Sequence, residues 1–336
     1  MMLRLFLTWI SYTLAQTSCA STFDVSKLNP DYWTAQAYCL GRYQIQAPQN
    51  AQETMSDLFF NEDRIHISKD ETLESTLASI QNIKNEGVDY NELYVLDKTL
   101  IPHKAHFYVT KYDFDWNMDT VRDFGNPYFT TLFNQVDSQW LYIIYSSLTI
   151  TTHNAQEPKN LEKIEQKKIQ KAEKYFQSTY LNPIEPRHIN TIPSQSGICL
   201  TGGFIKDNGK NKLVGNDTIT FKDFGDMNLV IYMGYPYSRK NSPLLKKDIF
   251  DSASEFINTI TFDHYKIIRK GLRNINGLPG SEVLLSLGKN NYYFLWESDN
   301  QEIQIELTKK ENKINLSEKQ ILQAWDVILP TFKRHH

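Results

Sequence analysis

The sequence predicts an α+β fold with two domains, each an antiparallel sheet packed with helices. Three observations point there. Residues 264–307 hold four strand-like runs separated only by short turn signals, and strands joined that closely pair antiparallel. Apolar stripes of helical period open at capping signals and do not alternate regularly with the strands. The length, 336 residues, is roughly twice that of a common domain of about 150 residues.

Taken in order, residues 1–20 read MMLRLFLTWISYTLAQTSCA. Arg4 precedes an apolar run, and the small-residue patch Thr17-Ser18-Cys19-Ala20 follows it. That is the layout of a secretory signal peptide. It is too short for a spanning helix, which needs about 20 apolar residues. A cut after Ala20 would free a soluble protein, whereas lipidation of Cys19 would anchor it, and only then is a membrane a partner. Gln16 stands where a lipoprotein signal prefers an aliphatic residue. A cut after Ala20 reduces the three cysteines to two, Cys39 and Cys199. An even count in an oxidising compartment permits a disulfide between them. The alternative is two separate buried thiols.

A strand signal runs from Tyr38 to Ile45 and stops at Pro48. Ser68-Lys69-Asp70-Glu71 reads as a capping box for a helix with the stripe Leu73, Leu77, Ile80 and Ile83. Strand-like runs follow at 106–112 and 140–152. Residues 160–180 mix Lys, Glu and Gln around one narrow apolar face, which predicts a solvated, ion-paired helix. The proline-bearing stretch 182–196 reads as a linker. The division is therefore a signal peptide at 1–20, an N-terminal α+β domain at 21–185 with the charged helix near its end, and a C-terminal α+β domain at 190–336. The latter opens on a strand with Cys199. It continues through strands near 218–221 and 229–232, a helix led by Ser242-Pro243, and the four runs already named. It closes on a helix capped by Ser317-Glu318-Lys319-Gln320, with Ile321, Leu322, Trp325, Ile328 and Leu329 facing inward.

Charge and motifs exclude several functions. Lys and Arg number 36 against 39 Asp and Glu, a net charge of −3, so no basic face for nucleic acid is expected. No glycine-rich phosphate loop appears. Ser281 lies in Pro279-Gly280-Ser281-Glu282, a turn entering a strand and not a G-x-S-x-G elbow. His103 and His106 are spaced one short of a zinc-binding helical pair and read as solvated loop histidines. Asp113, Asp115 and Asp119 begin like a calcium loop, but Met118 stands where glycine is needed and Phe124 where the bidentate Glu belongs. These acids read as a polar loop after a strand, held by buried Phe114 and Trp116, the alternative being an acidic, aromatic-bearing loop, with Trp116, for a protein partner. No catalytic constellation remains. The expectation is a binding protein, not an enzyme, with no cofactor and no metal.

Two longer segments carry a family likeness. The run 38–48 (YCLGRYQIQAP) resembles the opening strand of bacterial periplasmic immunity proteins that neutralise phospholipase effectors of type VI secretion. The runs 196–203 (SGICLTGG) and 276–282 (NGLPGSE) resemble the start of that family's C-terminal domain and a later turn. The resemblance implies a two-domain clamp that grips a cognate lipase around its cap and catalyses nothing. It also implies a periplasmic location. The competing reading is an exported cell-envelope binding protein with a different protein or ligand partner.

Overall fold

The computed structural model describes residues 34–49, 51–85, 92–112, 126–150, 158–221, 227–234, 265–300, 302–309 and 316–335. Segment 1–20 with Cys19, the loop carrying Asp113, Asp115, Trp116 and Asp119, and the helix expected from Ser242-Pro243 lie outside the described residues.

The architecture is α+β, built on antiparallel sheets. The N-terminal half contributes β1 (Ala35–Leu40), β2 (Tyr43–Pro48), β3 (Gln52–Phe60), β4 (Asp63–Lys69), β5 (Glu92–Ile101), β6 (Ala105–Tyr112), β7 (Asn126–Gln135) and β8 (Trp140–Ile150). Its helices are α1 (Leu73–Asn85) and α2 (Pro158–Phe176), the latter running on as a π-turn segment, Gln177–Leu181. Next come β9 (Ile184–Pro186), β10 (Gly197–Leu200), β11 (Gly203–Lys206), β12 (Leu213–Phe221) and β13 (Met227–Met233). After these follow β14 (Lys266–Leu272), β15 (Gly280–Ser286), β16 (Tyr292–Ser298) and β17 (Ile303–Lys309), then α3 (Glu318–Ile328) and β18 (Lys333–Arg334).

Twelve strands form one sheet in the order β14-β15-β16-β17-β13-β12-β3-β4-β8-β7-β6-β5. The two halves join within it, where β12 pairs with β3 from Leu213↔Phe60 to Thr220↔Gln52. Two three-stranded sheets, β1-β2-β18 and β10-β11-β9, complete the set. The stretch expected to be a linker is thus partly built into a sheet, through β9. One continuous core draws on both halves, from Ile65, Phe107 and Phe176 to Trp296, Trp325 and Phe332.

Local chemistry explains most elements. Helix α3 carries the expected capping box, with Ser317 N–H donating to Gln320 Oε1 at 2.7 Å, and buries Ile321, Trp325 and Ile328. Helix α2 turns Ile169 and Phe176 into the core and leaves Lys163, Lys167, Lys171 and Lys174 exposed, as a narrow stripe requires. The turn at Asn276-Gly277 has both residues at positive φ, +47° and +85°, as a two-residue hairpin demands.

Three readings need correction. The expected Tyr38–Ile45 strand is a hairpin, β1 and β2, because Gly41 turns the chain at φ +55°. The α1 cap is not Ser68-x-x-Glu71: Ser68 is held in β4 opposite Leu141, and Thr72 and Ser75 exchange the capping hydrogen bonds, Ser75 N–H donating to Thr72 Oγ1 at 3.1 Å. Of the α1 stripe, Leu73 is buried and Leu77 and Ile80 pack beside it, but Ile83 is exposed.

Candidate functional site

Of the residues weighed and set aside as catalytic or metal-binding, His103, His106 and Ser281 are described, and the fold places them as follows. His103 is exposed, with Nδ1 2.9 Å from Glu74 Oε1. His106 is not solvated: it is buried on β6, and its Nε2 lies 2.7 Å from Asp97 Oδ1. His103 lies in the turn between β5 and β6 and His106 on β6, and each has its own carboxylate. Ser281 is buried within β15, opposite Leu272 and Glu297.

What the fold does assemble is a half-exposed aromatic row. Alternation along β3 and β4 puts Leu58, Phe60 and Ile65 into the core and sends Phe59 and Arg64 to the other side. The register places Phe59 opposite Arg64, and Arg64 opposite Tyr145 of β8. Phe129 of β7 lies on the same face, two residues from Thr131, which pairs with Tyr145. Phe59, Phe129 and Tyr145 are 41%, 38% and 40% exposed. Further along this face α1 covers Tyr108, Phe133, Leu141 and Ile143. The aromatic row therefore lies beside α1 on that face. Adjacent exposed aromatics around an arginine are the composition of an interface anchor.

The hairpin that presents Phe59 and Arg64 is braced from below. Asp63 Oδ2 accepts from Tyr180 Oη at 2.5 Å and from Tyr175 Oη at 2.8 Å, and Tyr180 Oη also donates to Phe60 O at 2.8 Å. Burial, aided by bonding to the Asp63 carboxylate, pushes the Tyr175 hydroxyl up to about 12 and the Tyr180 hydroxyl further still. These phenols stay protonated, so they remain donors at any physiological pH.

A second brace lies under the seam between the halves. Arg187 follows β9 and is buried. Its guanidinium donates to Leu200 O at 2.9 Å, Gly203 O at 3.2 Å, Ile189 O at 2.8 Å, Thr191 O at 3.2 Å and Glu53 Oε1 at 3.1 Å. Tyr142 Oη donates to Thr201 O at 2.8 Å, tying β8 to the turn that follows β10. The turn's Gly202 sits at φ +76° against the Trp140 ring, where a side chain would collide. Asp217 of β12 is buried two residues from Ile219, the register partner of Glu53. Among the described residues, both Asp217 oxygens and Glu53 Oε2 have no hydrogen-bond partner.

Two desolvated carboxyls this close cannot both ionise cheaply. Burial pushes Glu53 from 4.5 up to about 7, although Arg187 pulls the other way. Burial, reinforced by the Glu53 charge, pushes Asp217 well above its ordinary range. Below the unfolded value of 4.5 the folded and unfolded chains both hold the Glu53 proton, and the stabilising contribution is fully present. Between there and about 7 only the folded chain keeps it, so stability falls as pH rises. A gap of that size corresponds to about 3 kcal/mol. The midpoint of thermal unfolding is expected to be lower at pH 8 than at pH 5, and Glu53→Gln is expected to flatten that slope. A melting temperature that rises from pH 5 to 8 and is indifferent to Glu53→Gln would contradict the burial argument.

Sequence reasoning missed both the aromatic row and the seam. Strand parity in 140–152 and 52–69 was the only available signal for the row. Nothing local linked Glu53 to Arg187, 134 positions away.

Cys39 and Cys199 are joined by a disulfide, with Cα atoms 5.7 Å apart. It ties β1 to β10.

Comparison with known proteins adds the following. Residues 191–336 match the family model described as the Tle cognate immunity protein 4 C-terminal domain. Among solved structures, the apo form of the T6SS immunity protein TplEi from Pseudomonas aeruginosa superposes with a TM-score of 0.60 at 16% identity, covering 90% of this chain and 97% of that one. The same protein complexed with "L" peptide gives 0.56 at 16% identity, covering 90% and 98%. A Tle4–Tli4 complex contains a chain that gives 0.60 at 16% identity, covering 90% and 97%. At such identity these neighbours establish the fold. No curated protein matches the chain. The family likeness read from the sequence, a type VI secretion immunity family, agrees with both the family match and the fold match.

Proposed function

We infer that this chain is an immunity protein that binds and neutralises a cognate phospholipase effector of type VI secretion, and that it catalyses nothing. The observation that carries this is the match of residues 191–336 to the immunity-protein family. A fold shared with TplEi and with a chain of the Tle4–Tli4 complex over 90% of this chain supports it.

The finer picture is part of the same proposal. The protein acts in the periplasm, delivered there by segment 1–20. Its two domains, 21–185 and 190–336, are the arms of a clamp on the effector's cap. In support, the long sheet carries α1 and α2 on one half and α3 on the other, and Arg187 and the β3–β12 pairing stiffen the junction. Inhibition then requires only that the clamp bind the closed effector better than the open one. Preorganisation matters because an arm that must order itself on contact loses affinity. The half-exposed row of Phe59, Arg64, Tyr145 and Phe129 supplies anchoring area on the N-terminal arm.

The test is titration of the mature protein into its cognate lipase while phospholipase activity and complex formation are followed together. Stoichiometric loss of activity with a stable complex is expected. Full activity with no complex, both proteins being folded, would overturn the reading. In the same assay Phe59→Ala with Tyr145→Ala is expected to weaken binding about 30-fold or more, the range of aromatic anchors. Both side chains are substantially exposed, so the unfolding midpoint of this variant should stay close to that of the parent. Unchanged affinity would move the interface elsewhere.

A further inference from the structure

The function proposed above leaves one buried cluster unused. His335 follows β18 and is 1% exposed, while Cys39 and Cys199 are wholly buried. One ring nitrogen of His335 and the two sulfurs all lie within 4.8 Å of one another. Cys39 and Cys199 come from β1 and β10, His335 follows β18, and backbone hydrogen bonds hold Cys199 and His335 in place. Gly41 N–H donates to Cys199 O at 3.2 Å and Cys199 N–H to Gly41 O at 2.8 Å. His335 N–H donates to Arg42 O at 2.8 Å. Phe204 and Ile192 pack around the sulfurs, and the His335 ring lies 6.2 Å from the Phe204 ring.

We propose that the reduced cysteine pair and His335 form a binding site for a thiophilic divalent cation, Zn²⁺ being the natural occupant. Two thiolates and one imidazole are a soft donor set that zinc accepts with a fourth position left to water. Ligands around tetrahedral zinc sit roughly 3.5 Å apart, given bond lengths of about 2.0–2.3 Å. Three donors already within 4.8 Å need only small side-chain rotations once the sulfur–sulfur bond opens. Opening it takes two electrons and two protons from a dithiol, which leaves as its own disulfide. The metal then displaces the two thiol protons to solvent, while neutral His335 donates a lone pair. The element that must part to admit the ion is short: β18 is two exposed residues, paired among the described strands with β2. The ion would join β1, β10 and the segment after β18, so disulfide and metal are alternative staples at one point.

The probe is Co²⁺, whose charge-transfer absorption reports thiolate ligation. The full chain carrying Cys19→Ser, reduced with a phosphine that leaves as its oxide, is titrated with Co²⁺ and then Zn²⁺. A thiolate charge-transfer band saturating at one equivalent, and bleached by Zn²⁺, is expected. The oxidised protein should show no band, and neither should the further Cys39→Ser/Cys199→Ser variant. His335→Ala should weaken Co²⁺ binding at least tenfold. No band in the reduced protein, or equal affinity in His335→Ala, would overturn the site. Should the reduced protein lose its native circular dichroism, recovery on adding Zn²⁺ in the parent but not in His335→Ala supports the site. Failure to recover, with no band, overturns it.

Discussion

Replacing Arg187 with methionine is expected to cost about 3–5 kcal/mol of stability, the usual penalty for removing one partner of a buried charge pair. The side chain is 2% exposed and its partner Glu53 is fully enclosed. Two losses add. Glu53 keeps its place but loses the one cation that opposes its desolvation. Four carbonyls, of Leu200, Gly203, Ile189 and Thr191, lose a donor inside the protein, at roughly 1 kcal/mol each where nothing replaces it. The proportions can be separated. At pH 5 Glu53 is already mostly neutral, so the charge part of the penalty shrinks and the carbonyl part stays. The Arg187→Met/Glu53→Gln double variant should recover the charge part and no more. Urea unfolding at pH 5 and pH 8 measures both. A cost under about 1 kcal/mol at both values would mean that water reaches the seam and that the junction is not stiff.

The parts of the fold that local chemistry dictates were legible. Ser317 to Gln320 caps α3 because a serine with a glutamine three residues on satisfies two otherwise unbonded amides. The β14–β15 and β15–β16 hairpins follow from turn residues at positive φ, Asn276, Gly277, Gly288 and Asn290. The same letters misled at Ser68-x-x-Glu71, because β4 holds Ser68 in its ladder with β8 and so removes it from the cap. Pairing across the sheet outranks a local cap, and pairing is not visible along the chain. Gly41 was read as strand because the apolar pattern runs through it, while a positive φ leaves no trace in hydrophobicity. His106 looked like a loop histidine until β5 supplied Asp97 and Thr99 beside it.

The sites were less legible than the elements for the same reason. Residues 182–196 look like a linker through their prolines, yet Arg187 within them is among the most heavily bonded side chains at the seam. Its role depends on carbonyls that only the folded turn of β10 and β11 turns inward. The aromatic row depends on parity in four strands at once. Within 140–145 every position is apolar or aromatic, so the sequence alone could not say that Tyr142 and Ile144 face the core while Tyr145 faces out.

Removing the disulfide should have an effect as large as losing Arg187. Cys39 and Cys199 are 160 positions apart, and closing a loop that long costs the unfolded chain about 5 kcal/mol of entropy in the loop-entropy model. Strain from a poor fit would subtract from this, but the surrounding geometry argues against a large deduction. Cys199 already forms a two-way backbone bridge to Gly41, so β1 and β10 are neighbours without the sulfur bond. The Cys39→Ser/Cys199→Ser variant should therefore keep the native fold while its unfolding free energy falls by about 2–5 kcal/mol. Folding rate separates the two ways in which the bond could act. If it acts through the unfolded chain and its contacts form early, the variant folds more slowly at an unchanged unfolding rate. If it acts by holding a strained native contact, unfolding accelerates instead. A variant as stable as the parent, with native circular dichroism, would show that the bridge between Gly41 and Cys199 is enough to hold the β1–β10 junction.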